Sequence, residues 1–351
     1  MKKNFNDFNK FIKIQFKNKW NIPGISIVIF NSDDILHTFT YGYADLQSKR
    51  KLKITDKFCI ASCSKSILCT AISSLIENKK IPNIWNMTLE KAWSKNIHES
   101  FKKVKVKQLA QHNSGIASTP DNPDDIKNFK KYSKIEKKLE NLNGYDSRKK
   151  LTNIILKIAP IYEPGSKFVY SNWGYGILAA ILEKHTKKKY YDIIEEEIMK
   201  PLNIDAKYEK LFYGKGYVNG HYNIWWDRNK KNKLISLKKN QFVNPLYESP
   251  AGETWMNMID SAKYCQMFLK ILKNKKSILK LSTVKHLTHN SFEDYGYGWF
   301  INKRGHIYHG GNYFHTTTHF HIIPDQNIGI VFSVNNNFND KWSIVSYLKN
   351  I

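Results

Sequence analysis

Apolar positions near the start of the chain recur at helical spacing: Phe5, Phe8, Phe11, Ile12 and Phe16 share one face, with Asn, Asp and Lys between them. The stripe predicts an amphipathic helix packed on the domain. The period then changes. Ile22-Pro-Gly-Ile-Ser-Ile-Val-Ile-Phe30 is a β-branched run, Asn31-Ser-Asp-Asp34 is turn-like, and Ile35 to about Tyr41 reads as a second strand, so a hairpin is expected. Ser66 to Glu77 reads as a helix. From there to about residue 245, helical segments alternate with lysine-rich turns and loops; the most polar part, Asp121 to Lys150, reads as a solvated helical insertion or a flexible loop. Trp255 to Leu272 predicts a helix, with Met258, Ala262, Cys265, Phe268 and Leu269 on one stripe. Tyr297–Ile301, His306–Tyr308, Thr316–Ile323 and Ile328–Ser333 read as short strands, and Asp340 to Leu348 as a closing helix.

Strands at both ends of the chain and a helical middle predict an α/β fold of the α+β type. An antiparallel sheet forms from both chain ends, is flanked by terminal helices, and carries a mostly helical inserted lobe. The 351 residues fit one large domain or two intimate ones, at roughly 100–200 residues per domain. The expected organisation is a single domain 1–351, with a sheet lobe of about 1–60 and 250–351 and a helical lobe of about 61–249. A functional site is expected in the cleft between lobes.

Composition narrows the function classes. Hydrophobic residues at 41% and aromatics at 14% suit a globular core, and no uncharged apolar run approaches the roughly 18 residues of a membrane span. The basic N-terminus is interrupted by Asn, Asp and Lys where a signal peptide needs an apolar stretch, so a cytoplasmic location is expected. The formal charge of +26 raises nucleic-acid binding. Against it, the only arginines are Arg50, Arg148, Arg228 and Arg304 among a great excess of lysine, and arginine supplies the bidentate phosphate contacts. Specific nucleic-acid binding is therefore not expected. Cys59, Cys63, Cys69 and Cys265 form no paired framework or zinc spacing, which suits a reducing compartment and buried thiols.

Candidate chemistry begins at Phe58-Cys-Ile-Ala-Ser-Cys-Ser-Lys-Ser66. Ser62 and Lys65 stand at i and i+3, so in a first helical turn the amine reaches the hydroxyl. The helix N-terminus also favours developing negative charge. A second cluster, Tyr170-Ser-Asn172, lies between the turn Glu163–Ser166 and an apolar helix from Gly176. It reads either as a phenol and an amide presented to a cleft, with Tyr170 activated by neighbouring cations, or as a helix cap. The third is Tyr308-His-Gly-Gly-Asn312, between two strand-like segments. It reads as a turn or bulge, or as a strand edge whose Asn312 N–H joins the Ser62 N–H in an oxyanion hole, with His309 a positive or hydrogen-bonding wall.

Ser-x-x-Lys, Tyr-x-Asn and His-Gly-Gly, in this order and with these gaps, resemble the serine β-lactamase and penicillin-binding-protein superfamily, in its class C β-lactamase-like, esterase-like branch. Ile22-Pro-Gly24, Tyr41–Asp45, Val106–Gly115, Ser249-Pro-Ala-Gly252 and Tyr295–Trp299 have counterparts there too, so the likeness runs along nearly the whole chain. The resemblance implies Ser62 as acylated nucleophile, Lys65 as its partner and base, Tyr170 as proton relay, and Asn172 as an orienting residue. His309, Gly310 and Gly311 would flank the substrate. Which of Lys65 and Tyr170 takes the proton stays open. No cofactor or metal is implied. The expected partner is a small-molecule or peptide substrate: a β-lactam, a D-amino-acid peptide or a small ester, cleaved through an acyl-enzyme. The opposing reading is a catalytically inactive binding or scaffold protein that keeps the fold.

Departures from that pattern bear on specificity. Asn312-Tyr-Phe-His315 follows the glycines where small residues, proline and glycine are usual, which predicts a narrowed or reshaped acyl pocket. His315, His319 and His321 raise a metal cluster, with His319 and His321 on one strand face; ordinary strand histidines are the preferred reading. Neither Gly-x-Ser-x-Gly nor His-Glu-x-x-His occurs, which disfavours an α/β-hydrolase and a zincin.

Overall fold

Both ends of the chain meet in one antiparallel sheet. The computed structural model describes residues 5–117, 129–139, 142–209, 212–223, 234–237, 245–289 and 292–348. Strands β1 (Gly24–Phe30), β2 (Ile35–Asp45) and β3 (Arg50–Lys51) come from the N-terminal part. β4 (Phe300–Ile301), β5 (Ile307–Tyr313), β6 (Thr316–Ile323) and β7 (Ile328–Val334) come from the C-terminal part. The order across the sheet is β3-β2-β1-β7-β6-β5-β4, and β1 pairs with β7 from Ile25 opposite Val334 to Phe30 opposite Gly329.

β1 and β7 are buried on both faces, which explains their continuous apolar runs. Ile25, Ile27, Ile29, Ile330 and Phe332 pack with Phe8 and Ile12 of the N-terminal helix (Asn6–Asn18) and Ile344 of the C-terminal helix (Lys341–Tyr347). Those helices touch through Phe11 stacked on Tyr347 at 4.7 Å. On the opposite face, Val28, Phe30, Phe320 and Val331 join the larger core that contains Ile67, Leu68, Ile72, Ile177, Ile181, Phe268 and Leu269. The hydrophobic period of the first twenty residues thus marks a helix that covers one sheet face.

Two expected boundaries shift. Trp255 belongs to a strand, Thr254–Met256, that pairs with Phe58–Cys59; the helix starts at Met258, where Asn257 caps it by accepting from the Asp260 N–H at 2.8 Å. Tyr308–Asn312 is neither turn nor bulge but the body of β5. The tight turn lies just beyond it, at Phe314 and His315, whose φ values of 49° and 52° close the β5–β6 hairpin with both central residues left-handed.

The polar segment 121–150 is only partly solvated. Residues 121–128 and 140–141 lie outside the described residues, but Gly144–Ile155 is a helix that buries Arg148 completely. Its guanidinium meets Glu183 and Glu209, each at 2.6 Å, and Ser249 Oγ at 3.1 Å. A buried charge persists only when paired in this way.

Candidate active site

The turn that carries Ser62 is set by backbone geometry. Ile60-Ala61 leaves the short strand Phe58–Cys59, Ala61 takes a left-handed φ of 49°, and a 3₁₀ turn, Ala61–Cys63, runs into the helix Ser64–Glu77. Ser62 therefore sits at a helix N-terminus, and β5 passes against the turn. Gly311 makes that approach possible: a Cβ there would lie 2.6 Å from the Ile60 carbonyl oxygen, 2.8 Å from Ala61 Cβ and 2.8 Å from Ser62 N. No side chain fits without moving the strand.

Lys65 is buried completely beside Ser62. Its Nζ lies 3.1 Å from Ser62 Oγ, 2.8 Å from Asn172 Oδ1 and 2.8 Å from the Ala251 carbonyl oxygen. Burial is the largest influence on the amine and pulls its pKa down to about 7, against the opposing pull of the Glu248 carboxylate. The partners then dictate the protons. Asn172 Oδ1 and the Ala251 carbonyl only accept, so neutral Lys65 donates both N–H bonds to them. Its lone pair is left facing the Ser62 hydroxyl.

Tyr170 lies on the other side of Ser62. Burial raises its phenol well above the ordinary tyrosine value, and a hydrogen bond with Ser62 only partly offsets this. No cation activation shows at Tyr170: desolvation dominates and keeps the phenol protonated, although the Lys65 amine lies 4.7 Å from its ring centre. His112 packs on the Tyr170 ring at 4.2 Å and its Nδ1 accepts from the Ser171 N–H at 3.0 Å. The cap and the amide's role hold together, since Ser171 Oγ caps the helix Asn172–Thr186 through the Gly174 N–H at 3.1 Å while Asn172 reaches Lys65.

His309 is buried and neutral, its pKa lowered to about 3 first by burial and then by the Lys65 charge. Its Nδ1–H donates to the Gly310 carbonyl at 2.7 Å, which leaves Nε2 to accept from Tyr295 Oη at 3.0 Å. Both ring nitrogens are thus held by protein groups, and His309 stands behind the cleft, not among the residues that line it. Ser62, Asn172, Asn312 and Tyr313 line one cleft of about 40 Å³, together with Glu248 and Ala251. Phe314 turns away to pack with Cys59 and Trp255, so of the bulky residues in the 312–315 segment, Tyr313 is the one at the cleft.

Cys63 is no rival nucleophile. Its side chain is buried, its Sγ lies 3.4 Å from the His309 carbonyl, and burial pushes the thiol far up. His319 and His321 share a face, as alternation requires, and His306 joins them. His321 turns Nε2 toward His306 at 3.1 Å and Nδ1 toward His319 at 3.4 Å, so the three rings form a chain and do not converge on a point.

Ala251 and Glu248 receive no role from the sequence. Ala251 acts through its carbonyl, which leaves no side-chain signature; the Ser249-Pro-Ala-Gly252 run was the only pointer.

Comparison with known proteins gives the family and the fold. The Beta-lactamase family model matches residues 12–344, so the chain belongs to the Beta-lactamase family. Protein flp of Staphylococcus aureus is 27% identical over 342 residues, covering 94% of this chain, which spans 63% of that protein's length. The octameric penicillin-binding protein homologue of Pyrococcus abyssi superposes with a TM-score of 0.76 at 21% identity, over 99% of this chain and 77% of the other. D-amino acid amidase from Ochrobactrum anthropi SV3 gives 0.76 at 16% identity, over 98% of each chain. At those identities the two structures establish a shared fold.

Proposed function

We propose that the protein is a serine hydrolase that cleaves an ester or amide through an acyl-enzyme on Ser62. One observation carries the reading: a buried lysine amine, brought to about 7, lies 3.1 Å from the serine hydroxyl with its two other contacts on groups that can only accept. Neutral Lys65 takes the Ser62 proton as Oγ attacks the carbonyl carbon. The Ser62 and Asn312 N–H groups receive the oxyanion, and the protonated Tyr170 phenol passes a proton to the leaving group while Lys65 resupplies it. Water then attacks the acyl carbon, and the same groups run in reverse. The reaction would occur where the sheet-forming ends of the chain meet the helical middle.

Burst kinetics with an activated short-chain ester such as p-nitrophenyl propionate tests this. The expected result is a burst of about one equivalent per active site under slow deacylation, or steady turnover when deacylation is fast, with both abolished in Ser62→Ala. Release that persists in Ser62→Ala would overturn it. A stable penicillin adduct would favour a peptidase-like site, and rapid release a β-lactamase.

A further inference from the structure

We propose that a cavity in the helical middle of the chain, separate from the Ser62 cleft, binds a small organic phosphate that carries a planar ring. The inference is independent of the acyl-enzyme reading. The cavity measures about 290 Å³, at the lower end of the roughly 300–1,000 Å³ of ligand pockets. It shares no lining residue with the Ser62 cleft.

Two helices and a turn build it. Tyr145, Lys149 and Asn153 stand four residues apart on the helix Gly144–Ile155, so they share one face. Ala180 and Lys184 have the same spacing on the helix Asn172–Thr186, and Lys187 follows its end. Trp93 lines the third side. Its indole is held in place: Nε1–H donates to Asn153 Oδ1 at 3.0 Å, and the ring packs on the larger core. The same bond orients the Asn153 amide, which leaves its NH2 as a donor. Tyr145 is a large apolar ring left 39% exposed. Two aromatic walls suit a planar ring.

Charge selects the rest of the ligand. Lys184 Nζ donates to the Ala92 carbonyl at 3.3 Å and to the Trp93 carbonyl, and lies 5.4 Å from the Trp93 ring centre. Burial first, and the Lys187 ammonium second, push its pKa down from the ordinary lysine value, the response of a cation beside another cation. The carboxylate on the lining, Glu183, is turned away to Arg148, with Oε1 2.6 Å from the guanidinium and Oε2 3.1 Å from Nε, and Oε1 also accepts from the Tyr190 N–H at 2.9 Å. Glu209 shares that guanidinium, so Arg148 and its two partners carry one net negative charge. The three lysines on the lining outweigh it by two. A phosphate monoester, at about −1.5 to −2 near pH 7, matches that surplus, whereas a carboxylate supplies a single charge. Lysine suits it as a point-charge phosphate binder.

Calorimetric titration of the intact chain with phenyl phosphate tests the site, with inorganic phosphate, benzoate and phenol as comparators. Phenyl phosphate is expected to saturate one site per chain and to bind about tenfold or more tighter than each comparator, the scale of a charge-assisted hydrogen bond. The double variant Lys149→Gln/Lys187→Gln weakens it by about tenfold or more, and Tyr145→Ala brings it toward inorganic phosphate. All three positions are exposed, and circular dichroism checks that both variants fold. Ser62→Ala binds the probe as the wild type does, which separates this site from the cleft. Phenyl phosphate no tighter than inorganic phosphate or benzoate, an affinity unchanged in both cavity variants, or binding lost in Ser62→Ala would overturn the inference.

Discussion

Lys65 shows how environment shifts the titration of an ordinary amine. The i, i+3 spacing to Ser62 is visible in the sequence, but the lowered pKa comes from complete burial under the 249–252 segment, far away in the chain. A neutral amine is the active form, so kcat/KM for an uncharged ester rises with pH through about 7 and then levels; a flat profile across that range would contradict the assignment. Replacing the amine in Lys65→Ala lowers acylation by about 10² to 10⁴, measured as the single-turnover rate. Stability follows the same linkage. The unfolded chain holds the lysine proton up to about 10.4 and the folded chain releases it near 7, so between these values stability from this group rises with pH. Below about 7 the burial penalty is fully present. The charge states of His309 and Tyr170 were not legible in sequence for the same reason: each is set by desolvation among residues brought together only by the fold.

At the scale of elements, two turns and a strand edge define the reacting centre. The strand pattern made most of the sheet readable, because β1, β6 and β7 carry long β-branched runs. Tyr308–Asn312 was harder, since its two glycines look like a turn when Gly311 instead allows a close approach to the Ser62 turn. Trp255 misled for a related reason: its apolar neighbours fit the following helix, but its backbone pairs with Cys59. Gly311→Ala tests the packing argument. Its new Cβ would force β5 away from the Ser62 turn, widening the gap between the Ser62 and Asn312 N–H groups. Acylation then falls by about 10²-fold, the effect of losing one oxyanion donor, while circular dichroism retains the native signal. Unchanged acylation would remove β5 from the oxyanion role.

Across the whole molecule, Arg148 ties together segments that are distant in sequence. Its helix, the helix that carries Asn172, and the 246–249 turn just before Ala251 all converge on one guanidinium. Sequence averaging hid this, because Arg148 sits in a strongly polar stretch in which Lys134, Lys137, Lys138, Asp146, Lys149 and Lys150 are exposed. Arg148→Ala leaves Glu183 buried without its cation, so urea unfolding is expected to show a loss of about 3–5 kcal/mol. A loss under about 1 kcal/mol, the range of surface pairs, would show that the cluster does not hold these segments.

The central claim is that Ser62 becomes acylated because Lys65 deprotonates it. Intact-mass analysis after incubation with a fluorophosphonate, followed by peptide mapping, tests it most directly. One adduct per chain is expected, located on Ser62, absent in Ser62→Ala and formed much more slowly in Lys65→Ala. An adduct that maps elsewhere, or a wild-type chain that remains unmodified, would contradict it.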